Sequence, residues 1–241
     1  MSHPLVFALL AGLLGGTFFS VTLEAQPTDD FAAARARMVE EQIRARGIHD
    51  EKLLAAMAEV PRHLFVPPDE QVEAYEDRSL PIGHGQNIHQ PYVVALMTSL
   101  LELDRGAKVL EIGTGSGYHA AVLGKLARQV FSVEINDDLY LQAKKNLAAA
   151  GCKNVHTRSG DGYQGWESEA PFDAIILTAA PPRVPQPLID QLRIGGKLVV
   201  PEGNVVQRLT IITKTEDGEE RTTSRPVVVS PMTGRVQQDP P

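Results

Sequence analysis

One cysteine, Cys152, is all the thiol chemistry that this chain of 241 residues has. That excludes an internal disulfide and any zinc site built from several cysteines. Cys152 follows Gly151 at the end of a helical stretch, the setting of a small packing residue rather than a reactive thiol. A basic surplus is also missing, since 23 lysines and arginines face 30 aspartates and glutamates, a net charge of −7. A broad basic face that would hold nucleic acid is therefore not expected. His84 and His89 are five apart with no acid between them, which is not the one-face spacing of common zinc motifs, so no metal is expected. Internal repeats and low-complexity blocks are absent. With 43% hydrophobic and 22% charged residues, the composition suits one globular domain with a substantial core.

Charge is absent altogether from Leu5 to Leu23, LVFALLAGLLGGTFFSVTL. An apolar run of this length near an N-terminus reads as an export signal or a membrane anchor. Gly12, Gly15 and Gly16 lower the helical quality a permanent anchor needs, which favours a cleaved signal over residues 1–25. A start codon placed too far upstream is the remaining reading. Residues 26–30 (QPTDD) form a polar linker, residues 31–235 the main domain, and residues 236–241 a frayed tail. If the leader is used, the domain is periplasmic or exported and meets a membrane only through residues 5–23.

Phe31 to Arg46 carries apolar residues at helical spacing and stops at Gly47; Asp50 is placed to cap a second helix. These two helices read as a cap on a larger body. Pro91 opens a third helix, YVVALMTSLLEL, apolar on most faces and so expected to be buried. From Lys108 strands alternate with helices: KVLEI, YHAAVLGKLA, QVFSVEI, DDLYLQAKKNLAAAG, NVHTRS, FDAIILT, VPQPLIDQL and GGKLVVP. RLTIITKT follows as a strand, TEDGEE as a hairpin turn, and RPVVVS as a last strand. The expected fold is α/β, a Rossmann-like and mostly parallel sheet with an antiparallel edge hairpin and an N-terminal helical cap. The segment GHGQNIHQPY, residues 83–92, shows no strand pattern of its own.

Between the first strand of that series and its helix stands EIGTGSGY, residues 111–118. Gly113, Gly115 and Gly117 let the backbone turn tightly and approach a ligand, with a helix N-terminus behind them. The spacing is G-x-G-x-G and not the G-x-G-x-x-G of dinucleotide folds. Glu134 ends the next strand, 21 residues after Gly113, where a carboxylate accepts from ribose hydroxyls. Asp161, in a GDG turn after the third strand, falls on the same rim, placed to accept from an adenine amino group.

The series VLEIGTGSGY, SVEI, GDGYQGW, PFDAIILTAAPPRVPQPLIDQL and GGKLVVP resembles the class I S-adenosylmethionine-dependent methyltransferases. More narrowly it is similar to the protein-L-isoaspartate O-methyltransferases, and the likeness takes in MVEEQIRARGIHDEKLLAAMAEVPRHLFVP upstream and SPMTG at residues 230–234. The resemblance implies a seven-stranded methyltransferase domain that is a monomer and binds S-adenosyl-L-methionine. Glu111 and the loop Gly113, Thr114, Gly115, Ser116, Gly117 would hold the methionine portion, Glu134 the ribose, and Asp161 with Gly162 the adenine end. The implied reaction is methylation of the α-carboxyl of L-isoaspartyl residues in damaged proteins or peptides, with D-aspartyl residues as a second substrate, followed by closure to a succinimide. The implied location is the cytoplasm, against the leader.

In that family residues 85–92 typically read G-Q-T-I-S-Q-P-Y, with the serine beside the transferred methyl group. Here they read GQNIHQPY, so His89 stands at the serine position as the candidate catalytic residue. Asn87, Ile88, Tyr92 and Thr233 are the candidate substrate contacts. An imidazole donates a hydrogen bond as a hydroxyl does, and its protonated form would add attraction for a carboxylate. A small-molecule O- or N-methyltransferase with a diverged substrate loop is the alternative. An amino-methylating nucleic-acid enzyme is disfavoured by TAAPPR where an Asn/Asp-Pro-Pro-aromatic element is usual, and a dehydrogenase by the glycine spacing.

Overall fold

The computed structural model describes residues 31–203 and 207–238. The leader, the linker and the end of the tail lie outside them. Secondary structure runs α1 (Ala32–Arg37), α2 (Glu51–Glu59), β1 (Leu80–Gly83), β2 (Gln86–Ile88), α3 (Pro91–Ser99), β3 (Lys108–Ile112), α4 (Tyr118–Leu126), β4 (Gln129–Glu134) and α5 (Asp137–Ala149). It continues with β5 (Val155–Ser159), β6 (Phe172–Leu177), α6 (Gln186–Asp190), β7 (Leu192–Glu202), β8 (Gln207–Thr215) and β9 (Gly218–Val227). Seven strands form one sheet in the order β5-β4-β3-β6-β7-β8-β9. The first five run parallel, and β8 and β9 turn back antiparallel. Chain order reverses at β3, which has β4 on one side and β6 on the other, so the crevice for a ligand opens at the carboxyl ends of those strands.

Alternation along the buried strands explains two apolar faces. Val109, Val130, Ala174, Ile176 and Val199 join the cluster that includes Met38, Met57, Val94 and Leu123 from the helical side. Leu110, Ile112, Phe131, Val133, Ile175 and Leu198 face the opposite cluster with Leu188, Met232 and Val236. Asp50 caps α2 through Oδ1 from Lys52 N (2.9 Å), and Asn136 caps α5 in the same way from Asp138 N (3.0 Å). As its pattern implies, α3 is buried from Pro91 through Thr98.

Four local expectations need correction. The helix expected over residues 31–46 is helical but not uniform: Met38–Ile43 is a π turn and Arg44–Arg46 a 3₁₀ turn, and the wider turn keeps Met38, Val39 and Ile43 all facing the core. The segment after Leu80 is a β1–β2 hairpin, with Leu80 opposite Ile88. Its strands are too short for periodicity to reveal them, and its turn uses positive φ at Gly83, His84 and Gly85. The last strand begins at Gly218, so most of TEDGEE and the RTTS that follows belong to the ladder and not to a loop. The helix expected over VPQPLIDQL is only Gln186–Asp190, because the prolines confine it.

The loop after β3 meets the end of β6 at Gly113, where Thr178 Oγ1 donates to the Gly113 carbonyl (2.7 Å). Gly113 has φ +97, and a Cβ there would stand 2.3 Å from that hydroxyl. Gly113→Ala is therefore expected to cost about 2–4 kcal/mol of stability, from left-handed strain and the displaced hydroxyl together. Thermal denaturation checks it; an unchanged midpoint would mean that the loop relaxes freely.

Candidate active site

At the carboxyl ends of β3, β4 and β6 lies a cleft of about 380 Å³, within the range of small-molecule sites. Gly113, Thr114, Gly115 and Ser116 form one wall and Glu134 another. Glu134 is buried; its Oε2 accepts from Gly115 N (2.8 Å) and its Oε1 from Asn136 N (3.0 Å). The acid thus holds the glycine loop to the end of β4, and each oxygen keeps a second lone pair for a ligand hydroxyl. Gly162 closes the far end so tightly that a Cβ would meet Ile112 Cγ2 at 2.3 Å. A bare backbone cradle beside a buried carboxylate fits a nucleoside-bearing ligand such as S-adenosylmethionine.

Glu111, Gly117, Asp161 and Tyr92 are not on the cleft wall. Glu111 lies wholly buried beneath the loop, where its Oε2 accepts from Ser132 Oγ (2.5 Å). The Ser132 hydroxyl is thereby committed, so it accepts from Thr114 Oγ1 at 2.6 Å. Burial raises the Glu111 pKa to about 8, with the Ser132 bond opposing that rise. Gly117 starts α4 from a left-handed conformation, φ +93, against Leu147. Both Asp161 oxygens accept backbone N–H groups, Oδ1 from Tyr163 (2.9 Å) and Oδ2 from Arg235 (2.7 Å), so this acid ties the C-terminal segment to the turn after β5. Tyr92 is buried under the Arg46 guanidinium, 3.4 Å from the ring centre, and its hydroxyl accepts from Arg225 (3.1 Å).

Asn87, Ile88 and His89 line the cleft from the β1–β2 hairpin, and Thr233 lines it from the C-terminal segment. That segment reaches the site because Met232 N donates to Ala180 O (2.7 Å) and Ala180 N to Ser230 O (2.9 Å) after β6. His89 is half-buried, and desolvation, with the nearby Arg62 cation, lowers its pKa to about 4. The imidazole is therefore neutral at ordinary pH, and the charged form considered from sequence is not available. His119, which belongs to none of the motifs above, is buried and also lines the cleft. Thr98 Oγ1 donates to Val94 O (2.8 Å), so His119 Nε2–H must donate to Thr98 (2.9 Å). Period-two or helical patterning gives no signal for such a residue, since His119 sits on α4 like any core position. Among the described residues no cluster of three or more His, Cys, Asp or Glu side chains is arranged to hold a metal.

The sequence profile of the family protein-L-isoaspartate(D-aspartate) O-methyltransferase matches residues 33–237. A protein-L-isoaspartate O-methyltransferase of Gloeobacter violaceus is 52% identical over 204 residues, covering 84% of this chain and all (100%) of that one. Protein-L-isoaspartate O-methyltransferase 2 of Shewanella sediminis is 50% identical over 227 residues, 92% of this chain and 93% of the relative. A solved protein-L-isoaspartate O-methyltransferase superposes with a TM-score of 0.76 at 28% identity, covering 84% of this chain and 67% of that one. A Plasmodium falciparum structure of the same description, in complex with S-adenosyl-L-homocysteine, gives 0.73 at 25% identity, covering 83% and 98%. With the family profile spanning nearly all the described residues and the relatives matched along almost their whole length, the chain belongs to the protein-L-isoaspartate(D-aspartate) O-methyltransferase family.

Proposed function

We infer that this protein methylates the α-carboxylate of isoaspartyl residues in damaged proteins or peptides, using S-adenosylmethionine. The observation that carries the reading is the single cleft region shared by the glycine loop with Glu134 and by the family's substrate segment at Asn87–His89. When bound, S-adenosylmethionine supplies an electrophilic methyl group on a sulfonium. Glu134 and the 113–116 backbone would hold it, and the Glu111–Ser132–Thr114 chain would keep the loop rigid from below.

No general base is required of the protein, because a carboxyl with an ordinary pKa of about 4 is ionised at neutral pH. What the residues do is position and exclude water. The hairpin bearing Asn87, Ile88 and His89 forms one side of the acceptor space, and Ala179 with Ser230–Thr233 the other. Neutral His89 acts as a hydrogen-bond donor in the place of a hydroxyl, not as a cation. The resulting methyl ester is open to attack by the neighbouring amide nitrogen, which breaks the ester C–O bond and releases methanol to give a succinimide and then, on hydrolysis, some normal aspartate. The uncharged run at residues 5–23, with its glycines at 12, 15 and 16, supports a cleaved export signal.

The central test is transfer of labelled methyl to an isoaspartyl peptide, with the normal aspartyl peptide as control. Base-labile label on the first alone is expected; label on neither, with the cofactor bound, would sink the carboxylate reading. Glu134→Gln is expected to weaken cofactor binding about tenfold while leaving the KM for peptide unchanged, because a charge-assisted acceptor is lost from the ribose end. A matched rise in the peptide KM would show that Glu134 acts on the whole cleft. His89→Ser is expected to lower kcat/KM about tenfold, by leaving a gap beside the acceptor. Since His89 gains its proton only near pH 4, well below neutrality, the shape of the profile between about pH 6 and about pH 8 should be the same in both proteins. A wild-type inflection there that vanishes in the variant would contradict a neutral imidazole.

A further inference from the structure

The cleft assigned to an anionic nucleophile has no lysine or arginine among its described lining residues. Half-buried His89 and buried His119 offer no charge either, because desolvation keeps both neutral, with pKa values lowered to about 4 and about 3. Directly behind this wall stands Arg62, in the short helical turn Arg62–Phe65, with no exposed surface (0%). Its Nε donates to Ala74 O (2.7 Å) and its Nη2 to His89 O (2.7 Å), while the guanidinium lies 4.8 Å from the ring centre of Tyr118. His89 and Tyr118 both line the cleft, so Arg62 is one residue away from its interior. Nη1 has no hydrogen-bond partner of ordinary geometry, although the Tyr118 side chain stabilises the guanidinium; among the described residues no carboxylate touches it, and Asp77 acts on it only through space. Burial draws its pKa down to about 10, which leaves it protonated at neutral pH.

Buried cations are ordinarily paired, because removing the charge from water is costly unless an anion compensates. Here the fold provides carbonyl acceptors and the through-space attraction of Asp77, itself ion-paired with Arg46, but no carboxylate in contact, and the adjoining space is the one that takes the substrate. In a poorly hydrated interior a charge also acts across a layer of side chain, as it does on His89.

We propose that Arg62 is a positioning and specificity-determining residue whose guanidinium, touched by no carboxylate and set behind His89 and Tyr118, selects an ionised carboxylate over a neutral group of the same shape. Its bond to the His89 carbonyl holds the hairpin segment at the distance this requires. The proposal rests on the carboxylate reading of the cleft. Arg62 touches no reacting atom; its effect is on which acceptor is bound and how it is held.

The test compares binding of an isoaspartyl peptide with that of the isoasparaginyl peptide, whose α-carboxamide is neutral and nearly isosteric, to the full chain with S-adenosylhomocysteine present. The wild type is expected to prefer the carboxylate, and Arg62→Met to reduce that preference about tenfold, whereas Arg62→Lys keeps it even where both affinities drop. A purely structural role would weaken both peptides together and leave the ratio unchanged, which would overturn the proposal. Should Arg62→Met fail to fold, carbon-13 titration of the isoaspartyl α-carboxyl on the wild type decides. A pKa below that of the free peptide is expected, and one at or above it overturns the assignment. If the wild type methylates no isoaspartyl peptide, the carboxylate reading itself falls; methylation with an unchanged ratio removes Arg62 alone.

Discussion

Everything at the site hangs from the approach of the Gly113 carbonyl to Thr178 Oγ1, 2.7 Å, where the loop after β3 closes on the end of β6. These two strands are neighbours in space but more than half the sheet's chain length apart, and the reversal of strand order between them opens the crevice. The contact leaves no room for a side chain at residue 113, so the cleft wall at that point is bare backbone. Glu134 then fixes the far side of the same loop from β4. One short hydrogen bond and one carboxylate thus set the cofactor end of the cleft before any substrate residue is placed.

The acceptor end is assembled differently, from segments that belong to no strand of the main sheet. A small hairpin carries Asn87 and His89, and a C-terminal segment is stitched to Ala180 and Asp161 by backbone hydrogen bonds. The division suits the chemistry. On the proposed assignment, a cofactor common to many reactions would sit on the rigid sheet, while the part that chooses the acceptor is built from loops that tolerate change. The presence of histidine at residue 89 is compatible with this arrangement because the reaction asks for alignment and not for a base, and the site keeps the ring uncharged.

Polar groups below the surface follow one rule, that burial decides their charge before their neighbours do. Glu111 is driven towards its neutral form, His89 and His119 are held neutral, and of these shifted groups Arg62 retains its charge because its ordinary pKa is so high. The cleft is therefore lined by dipoles and by the Glu134 carboxylate, with the Arg62 cation behind its His89 wall.

The sequence by itself determined the alternating strands, the buried α3, the glycine loop and Glu134 as its acidic partner. Each is written in short-range terms: period-two apolar runs, a proline at a helix start, glycines where φ must be positive, an acid at a strand end. Only the tertiary structure decided that residues 80–88 form a hairpin, that Tyr92 turns away under Arg46, and that Asp161 spends both oxygens on backbone groups. It also decided which backbone bonds to Ala180 hold the C-terminal segment, whose Thr233 the sequence had already put forward, and that Arg62 is sealed behind the site with no carboxylate in contact. Those outcomes depend on which distant segments meet and how much water they exclude, and neither quantity is carried by any local pattern of residues.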